Sequence, residues 1–177
     1  LAEFDLAAAL ASLDLHAQNH PGDEATESEV RQNRVRALFA GRQTKAALAE
    51  LEQLLAAGEL PSDLLQRLQE HAPERAVAVL RQRLAKATDP DEAVGIRIAL
   101  LDTMRKAGDT KAARAELDAL MLERPDDLNL LSRLGEFDAA LAESRWRERM
   151  ALDPNVANTL GLAEQLERLG RREEAEA

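Results

Sequence analysis

The feature that most constrains this chain is an internal repeat with an offset of 66 residues, so that Val30 corresponds to Ile96. At this offset, residues 30–56 align with residues 96–122 without a gap, and nine of the 27 aligned positions are identical. Ala47 with Ala113 is one identical pair. A composition rich in Ala, Leu and Glu produces isolated matches by chance, but not an ungapped register through two helices and a turn. We therefore infer that the chain is built from repeated units.

Residues 94–127 show the repeated unit most clearly. Apolar residues recur there at helical spacing in two stretches, and Gly108 and Asp109 separate the stretches as a tight turn. The residues that carry the pattern are Arg97, Leu100, Leu101, Met104, Ala113, Leu117 and Pro125. The pattern predicts two amphipathic helices within this stretch.

This unit resembles a tetratricopeptide repeat (TPR), in which large first-helix residues are followed by Ala-x3-Phe and then Pro. Leu or Met stands here where the family often has aromatic residues. The resemblance implies an all-α fold, a right-handed α-solenoid of antiparallel helix pairs in a TPR-like superhelix. A single repeat cannot bury its apolar face alone, so neighbouring repeats stack and share one core.

The helical patterns divide the chain into a single array of such segments. The segments are a second helix of a cut repeat at 1–21, a repeat at 24–58, a short repeat at 61–88, a repeat at 91–125, a short repeat at 126–154 and a partial repeat at 156–177. Because both ends lie inside repeats, we expect the chain to be a fragment of a longer protein.

Three details of the array are predicted from local signals. The first helix after the acidic stretch 24–29 is expected over 28–40. Gly135 and Glu136 are expected to form a turn. Ala140 is then expected to be the small residue that faces the core in the following helix.

Composition excludes several classes of protein. The chain has no Cys, so disulfides, thiolate zinc sites and cysteine nucleophiles are excluded. The net charge of −10 argues against a nucleic-acid binder, which needs a basic face. No apolar run approaches the length of a membrane-spanning helix, so we expect no membrane insertion in this segment.

Candidate catalytic and metal-binding residues are few. His16 and His20 are spaced so that they share a helix face, but no Cys or Glu-rich partner motif accompanies them. A role at the helix C-terminus, before Pro21, explains them better. No nucleotide-binding, nucleophile-elbow or zinc-protease motif occurs. We therefore expect no enzyme activity, no cofactor and no metal site.

Trp146, the only Trp, is flanked by Arg145, Arg147 and Arg149. Trp and Arg are enriched at binding hot spots, so one interpretation is a partner-binding anchor. The interpretation that we favour is a Trp packed between helices with its neighbouring arginines in water.

In TPR proteins the first helices of the repeats usually line a concave surface that binds extended peptides or partner helices. Mapped onto this chain, the resemblance implies partner-binding residues at Arg31, Arg36, Phe39, Asp102, Arg105, Lys106, Ser132, Arg133, Glu164 and Arg168. Arg and Lys at these positions would form charge-assisted contacts with an acidic partner. Solvation of the groove by the same side chains is an equally good interpretation.

The function that follows is a protein–protein interaction scaffold without chemistry of its own. The repeats are rich in Ala, Leu, Arg and Glu and lack Cys. In this composition they resemble the periplasmic TPR portions of bacterial outer-membrane exopolysaccharide export proteins of the Pel type. That resemblance implies docking of a polysaccharide-modifying enzyme and a periplasmic location. The alternatives are a cytoplasmic assembly or regulatory adaptor and a groove that binds carbohydrate directly. The low aromatic content, 2%, weakens the carbohydrate alternative.

Overall fold

The computed structural model describes residues 5–58 and 60–176. These residues form two compact units that divide between residues 85 and 86. The regular structure in the described part of the chain is α-helical throughout and contains no strand. The all-α prediction is therefore confirmed.

The first unit contains the helices that come first in the chain. They are α1 (Leu6–Asn19), α2 (Glu24–Ala40), α3 (Thr44–Ala57), α4 (Ser62–His71) and α5 (Pro73–Lys86). Helix α2 contacts α1, α3 and α4. Leu6, on the half-buried side of α1, lies against Gly41 at the end of α2.

The second unit repeats the order of α2 to α5 and adds two more helices. They are α6 (Pro90–Lys106), α7 (Thr110–Glu123), α8 (Leu128–Phe137), α9 (Ala139–Leu152), α10 (Val156–Arg168) and α11 (Arg172–Ala175). Helix α8 contacts α7, α9 and α10.

The repeat offset extends well beyond the aligned segment found in the sequence. Helices α6 to α9 begin and end at the positions that correspond, by the same offset, to the ends of α2 to α5. We call residues 24–86 the first copy and residues 90–152 the second copy. The repeating unit is therefore four helices long, with helices of 17, 14, 10 and 14 residues.

The buried cores of the two copies occupy the same register. The buried pairs include Val35 and Leu101, Ala47 and Ala113, Leu51 and Leu117, Leu54 and Leu120, Leu64 and Leu130, Leu68 and Leu134, Ala76 and Ala142, and Leu80 and Trp146. Trp146 is only 2% exposed, so the interpretation of a packed Trp is confirmed.

Aspartate and asparagine caps account for many of the helix starts. Side chains of Asp5, Asp23, Asp89, Asp109, Asp127, Asp138 and Asn155 accept hydrogen bonds from backbone N–H groups in the first turn of the following helix. These groups have no partner within a helix, and a negative charge there also suits the helix dipole.

Three local predictions are wrong. Helix α2 begins at Glu24 rather than at residue 28, because Asp23 caps it there. Gly135 is helical, and a side chain at that position would overlap Gln165 of α10. Ala142, not Ala140, is the buried small residue of α9. The expected register of α9 assumed that the helix follows a turn at Gly135 and Glu136. The helix instead begins after its cap, Asp138, so the buried position lies further along the chain.

His20 closes α1 as the sequence predicts. It is the C-cap residue of the helix, and its Nδ1 lies 3.0 Å from the carbonyl oxygen of His16. In the part of the chain that the structure describes, no helix combines the length and the apolar character needed to cross a membrane.

Candidate partner-binding groove

A polar groove of about 300 Å³ opens in the second unit between helices α6, α8 and α10. The buried faces of these helices orient its lining. Leu101 and Met104 of α6, Leu131 and Leu134 of α8 and Leu166 of α10 point into the core. Residues on the opposite faces therefore line the groove, and they are Asp102, Arg105, Lys106, Ser132, Arg133, Glu136 and Arg168.

Two ion pairs join α6 to α8 across the groove. Arg133 donates from Nε and Nη2 to the two carboxylate oxygens of Asp102, at 3.3 and 3.0 Å. Arg105 Nη2 lies 3.0 Å from Glu136 Oε2. A bidentate contact such as that between Arg133 and Asp102 holds both side chains in a fixed geometry. The groove wall is therefore preorganised rather than a set of loose side chains.

Helix α10 is attached to the same wall by Arg168. Its Nη1 donates to the carbonyl oxygen of Ser132 at 3.1 Å. Gln165, buried one turn earlier, donates from Nε2 to the carbonyl oxygen of Ala139 at 3.0 Å. Both contacts use backbone oxygens, so Arg168 keeps its full positive charge at the groove.

Positive charge is in excess in this groove. Four cations face two carboxylates, although the whole chain carries a net charge of −10. Lys106 is exposed and has no ion-pair partner within 4.0 Å among the described residues. Lys106 and Arg168 are therefore the cations of the groove that remain available to an incoming carboxylate.

The first unit contains a groove at the corresponding place, between α2 and α4. Its volume is about 390 Å³, and it is lined by Arg36, Phe39, Asp63, Leu64, Gln66, Arg67 and Glu70. Five of these positions correspond, by the repeat offset, to lining residues of the second groove. The groove is thus a property of the repeating unit, and side-chain identity distinguishes the two versions.

Charge is balanced in the first groove. Arg36 donates to both carboxylate oxygens of Asp63, at 2.7 and 3.0 Å. These hydrogen bonds lower the pKa of Asp63 below its ordinary value and raise the pKa of Arg36. Arg67 lies 3.4 Å from Glu70. Each cation of this groove therefore already has a carboxylate partner.

The structure brings most of the predicted binding residues together, but not all of them. Arg36 and Phe39 line the first groove, whereas Asp102, Arg105, Lys106, Ser132, Arg133 and Arg168 line the second. Glu164 lies beside it on α10, in a shallower depression that shares Arg168. Arg31 lines neither groove and lies 3.6 Å from Glu27 on its own helix.

The sequence prediction named Asp102 but omitted the other carboxylates of the two grooves, among them Glu136 and Glu70. Glu136 pairs with Arg105, and its counterpart in the first groove is Glu70. A signal for them was present: Glu70 and Glu136 are identical at the repeat offset, as are Arg67 and Arg133. Extending the alignment beyond the second helix of each repeat detects them.

Across the described ranges 5–58 and 60–176, no group of three His, Asp or Glu side chains is arranged to hold a metal ion. Comparison of this chain with protein-family models, curated proteins and solved structures found no match.

Proposed function

We propose that this chain is a TPR-like α-solenoid scaffold that binds an acidic segment of a partner protein in the groove between α6, α8 and α10. The observation that carries the proposal is the excess of positive charge on a preorganised wall in a strongly acidic chain. Charge complementarity of this kind raises association rates and selects partners. Docking of a polysaccharide-modifying enzyme in a bacterial periplasm stays a prediction of the resemblance.

The cations of the groove fall into two sets, those paired with a carboxylate and those without one, and this difference supports the proposal. Arg105 and Arg133 hold the wall through their ion pairs with α6 or α8 carboxylates. Lys106 and Arg168 lie on the same wall without a carboxylate partner among the described residues. A carboxylate of the partner would therefore bind to these two cations on a wall that is already fixed, with little ordering cost to the scaffold.

The first experiment measures binding of a fluorescein-labelled poly-glutamate decapeptide by anisotropy at low and high salt. The expected result is binding that weakens with salt, because exposed charges are screened. Lys106→Glu should weaken binding at least about tenfold, since one charge-assisted contact is lost and a repulsion is added.

Lys111→Glu is the matched control. Lys111 is exposed on α7, lies outside the groove and makes no ion pair in the described part of the chain. Both variants change the net charge equally, so a general electrostatic effect would weaken binding equally. An equal loss in the two variants, or no binding by the parent chain, refutes the groove as the binding site.

A further inference from the structure

A different groove in the second unit lies between α7 and α9. These two helices do not line the candidate partner-binding groove. The volume of the α7–α9 groove is about 410 Å³, and Met121 and Leu134 contribute to an apolar lining. At its edges Leu122 and Leu152 each leave 86% of their surface exposed, and Leu141 leaves 37%. Contiguous exposed apolar residues on a folded chain mark interaction surfaces.

The first copy does not present this apolar edge. The counterparts of Leu122, Leu141 and Leu152 are Ala56, Arg75 and Lys86. Arg75 of α5 forms an ion pair with Glu52 of α3, so the two helices are bridged there by charge. The second copy has leucine where the bridging arginine stands. The same fold therefore accepts polar residues at this face, and the leucines are not required by the architecture.

The charges at the rim of the groove carry both signs on each helix. On α9, Arg145 Nη1 lies 3.2 Å from Glu148 Oε2. On α7, Arg114 Nε lies 2.9 Å from Asp118 Oδ1. A partner of a single charge would attract one member of each pair and repel the other.

A second copy of the chain fits this pattern. In an interface with two-fold symmetry, if one residue contacts another across the interface, the reverse contact also occurs. Arg145 of each copy can then meet Glu148 of the other, so both members of this rim pair find an opposite charge across the axis.

We propose that the α7–α9 groove is the contact surface of a symmetric homodimer. Leu122 and Leu152 of one copy pack against the apolar groove of the other, and the rim charges pair across the two-fold axis. Two chains of net charge −10 repel each other in general. Three arginines and two carboxylates line this groove, so the excess negative charge lies elsewhere on the surface and adds least to that repulsion at this face.

Sedimentation velocity of the full chain from about 1 μM to about 1 mM tests the dimer, a range that covers weak to moderate affinities. The expected result is a monomer–dimer equilibrium. The triple variant Leu122→Ala, Leu141→Arg, Leu152→Lys introduces the residues of the first copy and should weaken dimerisation at least about tenfold. Because the first copy folds with these residues, helicity and Trp146 fluorescence should stay unchanged.

Leu15→Lys is the control for a general effect of apolar exposure. Leu15 leaves 58% of its surface exposed on α1, in the other unit. This variant should dimerise like the parent chain. A parent chain that stays monomeric over the whole range overturns the proposal and leaves the groove to a different protein. A dimer that survives the triple variant overturns it equally.

A charge exchange tests the symmetry of the contact. Arg145→Glu and Glu148→Arg should each weaken self-association, since each places like charges opposite one another across the axis. An equimolar mixture of the two variants should form a heterodimer, because both cross-contacts become attractive again. If the mixture dimerises no better than its components, the proposed pairing is wrong.

Discussion

The indole ring of Trp146 on α9 packs directly on the backbone of Gly161 on α10. Both residues are buried, and a Cβ atom at position 161 would overlap three atoms of the ring. Glycine normally weakens a helix by about 1 kcal/mol relative to alanine. Its presence here is explained by the close approach of the ring, which leaves no room for a side chain.

Gly161→Ala should therefore lower the free energy of unfolding by about 1–3 kcal/mol, the usual range for overpacking a core, despite the better helix propensity of alanine. Because Trp146 is the only Trp, its fluorescence during urea unfolding reports on the second unit. Gly95→Ala is the matched control. Gly95 is helical in α6 with no atom within 4 Å of an added Cβ, so this change should stabilise by up to about 1 kcal/mol. Equal effects of the two substitutions would contradict the packing explanation.

Arg42 and Gly108 occupy equivalent turns of the two copies, and both have positive φ, 58° and 86°. The left-handed region costs a non-glycine residue about 1–2 kcal/mol, partly offset by the greater freedom of glycine in the unfolded chain. Arg42→Gly should therefore stabilise the α2–α3 pair by up to about 1 kcal/mol. Hydrogen exchange of the α2 and α3 amides measures this change.

Gly108→Ala is the converse substitution at the equivalent turn. A Cβ there meets nothing within 4 Å, so its cost comes from the backbone alone. The expected destabilisation is about 1–2 kcal/mol, read by Trp146 fluorescence during unfolding. A neutral result at both positions would show that these turns relax away from positive φ at little cost.

Acid should weaken the α2–α4 contact through Asp63. The hydrogen bonds from Arg36 lower the pKa of Asp63 in the folded chain below its unfolded value, so folding is favoured by the ionised form. The stabilisation is complete above the ordinary Asp pKa of about 4 and is lost as pH falls through the folded value. It should stay below about 1 kcal/mol, because the Arg36 and Asp63 side chains are 39% and 55% exposed.

Asp63→Asn should remove this part of the pH dependence. The second copy has Asn129 at the equivalent position, so the fold tolerates the amide there. Carbon-detected NMR titration of the Asp63 carboxyl group gives its pKa directly, and unfolding at pH 6 and pH 3 gives the linked stability. A pKa of Asp63 at or above the ordinary value would refute the role of Arg36.

Local sequence signals predict the helices well because apolar spacing and turn residues act over a few positions. Ala113 and Leu117 are buried at the expected register, and Gly108 forms the expected turn. Gly135 shows where such signals fail. It is glycine because Gln165, two helices further along the chain, lies against it, and nothing near Gly135 in the sequence reveals that contact.

The candidate groove follows the same division between local and distant contacts. The first-helix positions are predictable from helical periodicity, because the residues opposite the buried face line the groove. The pairing of Arg133 with Asp102 spans 31 residues and depends on how α6 and α8 pack. Which cations are already neutralised, and therefore which remain for a partner, becomes visible only in three dimensions.

Arg31 and Arg97 are identical at the repeat offset, but their surroundings differ. Arg97 is 18% exposed and donates to Glu116 and Glu123 of α7, and these contacts, the hydrogen bond to Glu123 foremost, raise its pKa. Arg31 is 45% exposed and lies near Glu27 of its own helix. The counterpart of Glu123 in the first copy is Ala57, so Arg31 lacks the second carboxylate.

Arg97→Ala should lower the free energy of unfolding of the second unit by about 1–3 kcal/mol, because the partly buried Glu116 and the exposed Glu123 lose a charged hydrogen-bond donor. Arg31→Ala should cost less than about 0.5 kcal/mol, as expected for an exposed pair on one helix. Urea unfolding followed by Trp146 fluorescence measures the first change, and hydrogen exchange of the α2 amides measures the second. Equal losses at positions 97 and 31 would contradict the role of the two α7 carboxylates.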